Sequence, residues 1–199
     1  MATGSSTHRP HRIRRVAAAV ALGLLGSLPL ASAAAAGQSG CAGADVSASA
    51  APVATMRSAV VCLVNQQRAA RHLPALHASP RLTSSAQLWT NTMVRTSNFT
   101  HGQNFSSRID ATGYFWSTAG ENIASGFATP RDVVTAWMGS LDHCQNILNP
   151  NFGDVGTGVN SQALGQYSAS TWTQDFGLWM GRRAPSHNYG PQRGCPYLS

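Results

Sequence analysis

The chain contains no lysine and a single glutamate, Glu121. Charged residues are 11% of its 199 residues, well under the roughly 25% of an ordinary soluble protein. So low a charge density excludes a coiled coil and charge-driven disorder. Asp and Glu together number seven, so acid–base pairs are scarce and each carboxylate can be weighed singly. The one long apolar run, residues 16–30, is broken by Pro29 and falls short of the roughly 20 residues of a spanning helix. The four cysteines include no C-x-x-C, which argues against a zinc ribbon. No internal repeat is present.

The N-terminus carries a graded order. Arg9, Arg12, Arg14 and Arg15 precede the apolar run, and small residues follow over 31–36. An A-x-A site falls at Ala31-Ser32-Ala33 or Ala34-Ala35-Ala36. This order predicts a cleaved secretory signal peptide over residues 1–36 and an extracellular protein. Cys41 follows Gln38-Ser39-Gly40, without the Leu that opens a lipobox, so no membrane anchor is expected. Cleavage removes four of the fourteen cations and no acid, leaving a net charge of +3. That is too mild for a nucleic-acid-binding face.

Export places Cys41, Cys62, Cys144 and Cys195 in an oxidising space. Three pairings are open to four cysteines. Position along the chain favours Cys62–Cys144 as an internal staple and Cys41–Cys195 as a clasp of the termini. Residues 37–54 are small and featureless and read as a linker, leaving 55–199 as the folded domain. Met56, Ala59, Val60, Leu63 and Val64 recur at helical spacing. Ser79-Pro80 and Thr129-Pro130 open two further helices, the second running on through Trp137 and Leu141. Residues 97–120 read as a long loop with a short helix near Arg108–Ala111, and its aromatic residues could line a groove. Residues 154–160 and 171–179 read as strands. Helices first and strands last predict an α+β fold.

Candidate chemistry is sparse. His72, His77 and His187 read as exposed spectators. His101 stands at the head of the long loop, Glu121 where that loop enters a strand, and His143 one turn past Trp137. The segments that hold them form a series: Asn65 and Arg68; Leu73-Pro74-Ala75-Leu76; Leu82, Ala86 and Met93; Phe99-Thr100-His101; Arg108-Ile109; Gly113-Tyr114; Gly120-Glu121-Asn122-Ile123. It continues through Val133-Val134, Trp137-Met138, Ser140, His143, Asn146-Ile147-Leu148, Gly156-x-Gly158-Val159 and Trp172-Thr173-Gln174-Asp175-Phe176-Gly177. In this order, over about 125 residues, the series resembles the CAP superfamily of cysteine-rich secretory, antigen 5 and pathogenesis-related proteins, in its small bacterial secreted form.

The resemblance implies a three-layer α-β-α sandwich with a small antiparallel sheet. It also implies a cleft of two His and two acids, of which His101, Glu121 and His143 match three. The second acid is replaced by Ser140. A disulfide at Cys144, beside His143, would pin the His-bearing turn. Two imidazoles and one carboxylate form a legitimate, weak zinc set. Ser140, His143 and Glu121 can also be read as a hydrolase triad, although no G-x-S-x-G elbow supports it. The third reading is a polar cluster that holds the cleft walls. The expected protein is a monomeric, non-enzymatic module that binds a small extracellular ligand in this cleft: a lipid, a peptide, a cell-wall fragment or a metal ion. The alternative is a secreted metal-dependent hydrolase using the same residues.

Overall fold

The computed structural model describes residues 40–184 and 194–196; the expected signal peptide and His187 lie outside the described residues. In chain order the elements are α1 (Val53–Ala69), β1 (His77–Ala78), α2 (Pro80–Thr96), α3 (Phe105–Asp110), β2 (Trp116–Ser125), α4 (Pro130–Met138), α5 (Leu141–Ile147), β3 (Asp154–Asn160) and β4 (Thr171–Trp179). The sheet order is β1-β3-β4-β2. β3 and β2 flank β4 antiparallel, and the two-residue β1 adds a parallel edge. The sheet is thus mixed at its margin and antiparallel across its three long strands.

Strand alternation sorts the layers. Val155 and Val159 of β3, Trp172 and Phe176 of β4 and Ala124 of β2 share one core with α1, α4 and α5. The opposite face meets α2, through Gly156 and Gly158 and through the Thr90–Thr173 hydroxyl pair at 2.8 Å. The result is an α-β-α sandwich. Helix starts follow the expected chemistry: Ser79 and Thr129 accept from the Leu82 and Asp132 amides, with proline next in line. The helix expected to run on through Leu141 is broken by Gly139 and Ser140 into α4 and α5.

Three expectations are corrected. The stretch read as a linker is packed where it is described: Cys41, Ala44 and Ala48 are buried. The Ala48 amide donates to the Ala128 carbonyl and the Arg131 amide to the Ala44 carbonyl, both at 2.9 Å. Small side chains that looked featureless are what lets this segment lie flat on α1 and α4. The long loop also ends sooner than expected, because β2 begins at Trp116.

The disulfide pairing is the third correction. Cys41 bonds Cys62, and Cys144 bonds Cys195. Each end of the domain is stapled to its nearest helix, α1 or α5, and the two ends are not clasped together. The packed 41–48 segment brings Cys41 onto α1, which leaves Cys144 free for the returning C-terminal segment. Non-reducing peptide mapping is expected to recover these two cross-linked pairs. The bridges close segments separated by 21 and 51 residues. Chain entropy therefore makes loss of Cys144–Cys195 the costlier, at about 4 against about 3 kcal/mol. Equal midpoints for Cys41→Ser/Cys62→Ser and Cys144→Ser/Cys195→Ser variants in urea would contradict that ranking.

Candidate functional site

The site forms where β2, the edge strand, meets the loop after α2. Glu121 lies on the α2 face of β2 with its side chain 1% exposed. A carboxylate so deeply placed must be paired, and both oxygens are. His101 Nδ1 lies 2.8 Å from Oε1, and Arg108, in α3, donates to Oε2. Arg108 also donates from Nη1 to the His101 carbonyl at 3.0 Å. Its guanidinium lies over the Trp89 ring, 3.9 Å from the centroid, a cation–π contact that fixes the long side chain. Trp89 in turn donates from Nε1 to the Thr100 carbonyl at 2.9 Å. Glu121, Arg108 and Trp89 thus form a brace around the loop bearing His101, whose own side chain is half exposed.

Asp175 stands opposite Glu121 in the β2–β4 register. Burial first, and the Glu121 charge second, hold its carboxyl well above the usual carboxylate range. The Ser85 hydroxyl and Arg108 favour the charged form but do not prevail. Neither Asp175 oxygen has a hydrogen-bond partner of proper geometry among the described residues.

His143 reaches the cleft from the other side of β2, on α5. Burial pulls its pKa down, the nearby His101 charge adds to the effect, and Asp142 opposes it. The native state therefore favours neutral His143. Its contribution to stability is present above the unfolded pKa of about 6.5 and is lost as pH falls below that value. Side chains of α4 and α5 satisfy the outward carbonyls of the edge strand: Asn146 Nδ2 donates to Glu121 at 3.2 Å and Trp137 Nε1 to Ile123 at 3.3 Å. Asn122 Nδ2 donates to the His143 carbonyl at 3.1 Å. These bonds set α5, and with it His143, against the strand that carries Glu121. The Cys144–Cys195 bridge pins the same turn.

His101, Glu121 and His143 therefore gather around β2, while the hydrolase triad is not assembled. Glu121 pairs with His101 and not His143, and the Ser140 hydroxyl makes no hydrogen bond among the described residues. Nor do the residues fit a three-ligand zinc set. Both Glu121 oxygens are engaged, and no three His, Cys, Asp or Glu among the described residues are placed to hold a metal. Sequence reasoning missed Arg108, Trp89 and Asp175 as site residues. Asp175 had a signal: it is a lone acid in a strand otherwise built of aromatic, hydroxyl, amide, glycine and leucine residues.

Comparison with known proteins places this geometry in a family. The uncharacterised protein YkwD of Bacillus subtilis (strain 168) is 38% identical over 128 residues, 62% of this chain and 48% of the relative. The chain thus spans about half the length of the curated relative it matches. Among solved structures, an outer surface protein of Borrelia burgdorferi superposes with a TM-score of 0.55 at 20% identity, covering 60% of this chain and 90% of that one. An extracellular protein containing an SCP domain from Bacillus anthracis superposes with a TM-score of 0.54 at 22% identity, over 64% and 44% of the two chains. At such identities these likenesses establish the fold alone. The family model of CAP, the cysteine-rich secretory protein family, matches residues 61–176, which contain the sheet core, the Glu121 brace and both cleft histidines; the chain belongs to the CAP family.

Proposed function

We infer that this is a secreted CAP-domain protein whose cleft binds a small extracellular ligand and performs no chemistry on it. One observation carries the reading. Glu121, the one carboxylate of the expected cleft set, has both oxygens engaged, by His101 and Arg108. A base or nucleophile needs a free, correctly protonated atom at the reacting centre, and Asp175 behind it is shut off from solvent. What the brace offers is a fixed imidazole. With its Nδ1 facing Glu121, His101 directs Nε2 outward to a ligand, as a carboxylate-oriented imidazole does.

Secretion is supported by the signal-like order of residues 1–36, by two disulfides and by the extracellular descriptions of similar structures. Among the described residues no helix is long and apolar enough to cross a membrane. The ligand classes that suit the cleft are a lipid, a peptide, a cell-wall fragment or a metal ion. A zinc ion would find His101 and His143, with Glu121 orienting the first and not ligating.

Calorimetric zinc titration of the mature chain tests the cleft. Weak binding is expected, tighter at about pH 7.5 than at about pH 5.5 because zinc competes with protons for imidazole. A His101→Ala/His143→Ala variant is expected to lose it. Equal binding by both proteins would move the metal elsewhere, with exposed His77 one candidate. Ester or peptide turnover that disappears in Glu121→Gln would overturn the non-enzymatic reading. Capture of ligands from culture medium, followed by mass spectrometry, identifies the physiological occupant.

A further inference from the structure

A second cavity lies at the opposite margin of the sheet, beside β1 and the start of α2. It encloses about 500 Å³, within the roughly 300–1,000 Å³ of small-molecule sites. Its charged and aromatic lining is His77, Arg81, Tyr114, Asp154, Trp179 and Arg182. The only acid in this set is already committed. Asp154 accepts from the buried Tyr114 hydroxyl at 2.7 Å through Oδ2 and from Arg182 at 3.2 Å through Oδ1. Burial and the Asp154 carboxylate keep Tyr114 protonated, so it remains the donor.

The two guanidiniums and the imidazole are each anchored at one point and keep donors to spare. Arg81 lies 5.3 Å from the centre of the Trp179 ring and makes no hydrogen bond among the described residues. Trp179 is itself steadied by T-shaped ring contacts with Tyr114 and Phe115. Arg182 uses one guanidinium nitrogen on Asp154 and keeps the rest of its fork. His77 Nδ1 faces the Gly153 carbonyl at 3.2 Å, which leaves Nε2 outward. Two guanidiniums against one carboxylate leave the lining with one net positive charge, and that carboxylate is already taken up by Arg182 and Tyr114. A pinned Arg loses less rotamer entropy when it binds a partner, and its planar fork matches an oxyanion.

We propose that this cavity is a binding site for a small organic oxyanion, a carboxylate or phosphate ester gripped by Arg81 and Arg182. A free inorganic anion would leave most of the space unfilled, so the ligand carries a body of about the size of a sugar ring. The site is separate from the His101 cleft. Glu121 and its brace lie on β2, whereas this cavity is built on β1, the start of β3 and the far end of β4.

Calorimetry with three probes on one scaffold tests it: glucuronate, glucose 6-phosphate and glucose. Both anions are expected to bind and glucose is not; the tighter anion tells carboxylate from phosphate. Arg81→Gln and Arg182→Gln are each expected to weaken binding roughly tenfold. His101→Ala is expected to leave it within about twofold, so failure here and failure of the cleft reading are distinguishable. Amide shift changes in the wild-type protein should cluster at residues 77–81 and 179–182, a readout that does not depend on any variant folding. Binding of glucose equal to the anions, binding unaffected by both Arg changes, or no binding of either anion at about 10 mM would each overturn the proposal.

Discussion

Gly158→Ala is expected to yield no cooperatively folded protein, and Gly156→Ala to do the same. A Cβ on Gly158 would stand 2.4 Å from the Ala86 carbonyl oxygen and 2.6 Å from the Gln87 nitrogen. One on Gly156 would stand 2.1 Å from both the Leu82 carbonyl carbon and the Thr83 nitrogen. These obstacles are helix backbone and cannot rotate aside as a side chain would. α2 would have to lift off β3, which breaks the Gln87 side-chain bonds to the Val159 amide and carbonyl at 3.0 and 2.9 Å and opens the buried Thr90–Thr173 pair. The same displacement would bring water to Asp175 and loosen the loop that starts at the end of α2 and carries His101. The loss should exceed the roughly 1–3 kcal/mol of an ordinary overpacked core. Far-ultraviolet circular dichroism melts check it, with Gly40→Ala, where nothing lies within 4 Å, as the control. A wild-type melt for Gly158→Ala would mean that α2 packs less closely than described.

Much of this architecture was legible in the chain because it rests on local signals. The apolar spacing of α1, the Ser79-Pro80 and Thr129-Pro130 starts and the alternation of the last two strands are properties of short windows. The site was legible only in part. His101, Glu121 and His143 could be singled out, since acids and histidines are few. Their pairing could not, because whether Glu121 meets His101 or His143 depends on which face of β2 it takes, and that is set by register with β4. Arg108 shows the same limit: nothing near it in sequence says that its guanidinium will lie over Trp89. The disulfides were misjudged for a related reason. Reading Ala44 and Ala48 as linker residues hid the packing that carries Cys41 to Cys62.

Arg68→Met is expected to destabilise the domain by about 3–5 kcal/mol, the range for uncompensated buried polar groups around a lost charge. Arg68 is fully buried on α1, and among the described residues no carboxylate pairs with it. Instead it donates from Nε to the Pro74 carbonyl at 2.8 Å and from Nη1 to those of Ile147 and Asn149 at 2.8 and 2.9 Å. Nη2 reaches toward the Phe152 carbonyl at 3.5 Å. Burial pulls its pKa down to about 10, so it is still charged at neutral pH. A guanidinium can serve carbonyls on several sides at once because its donors fan out in a plane. Those carbonyls belong to the turn after α1 and to the chain that leads from α5 into β3, so Arg68 ties the opening helix to the helix bearing His143. Met matches much of the volume but leaves the carbonyls unpartnered. Arg68→Lys keeps the charge at a single point and should lose about half as much. Urea unfolding ranks the three proteins. Titration of His143 by NMR supplies an independent readout: its depressed pKa should relax upward in Arg68→Met as α5 loosens and water reaches the ring. Unchanged stability together with an unchanged His143 titration would show that the carbonyl hub does not hold α5 in place.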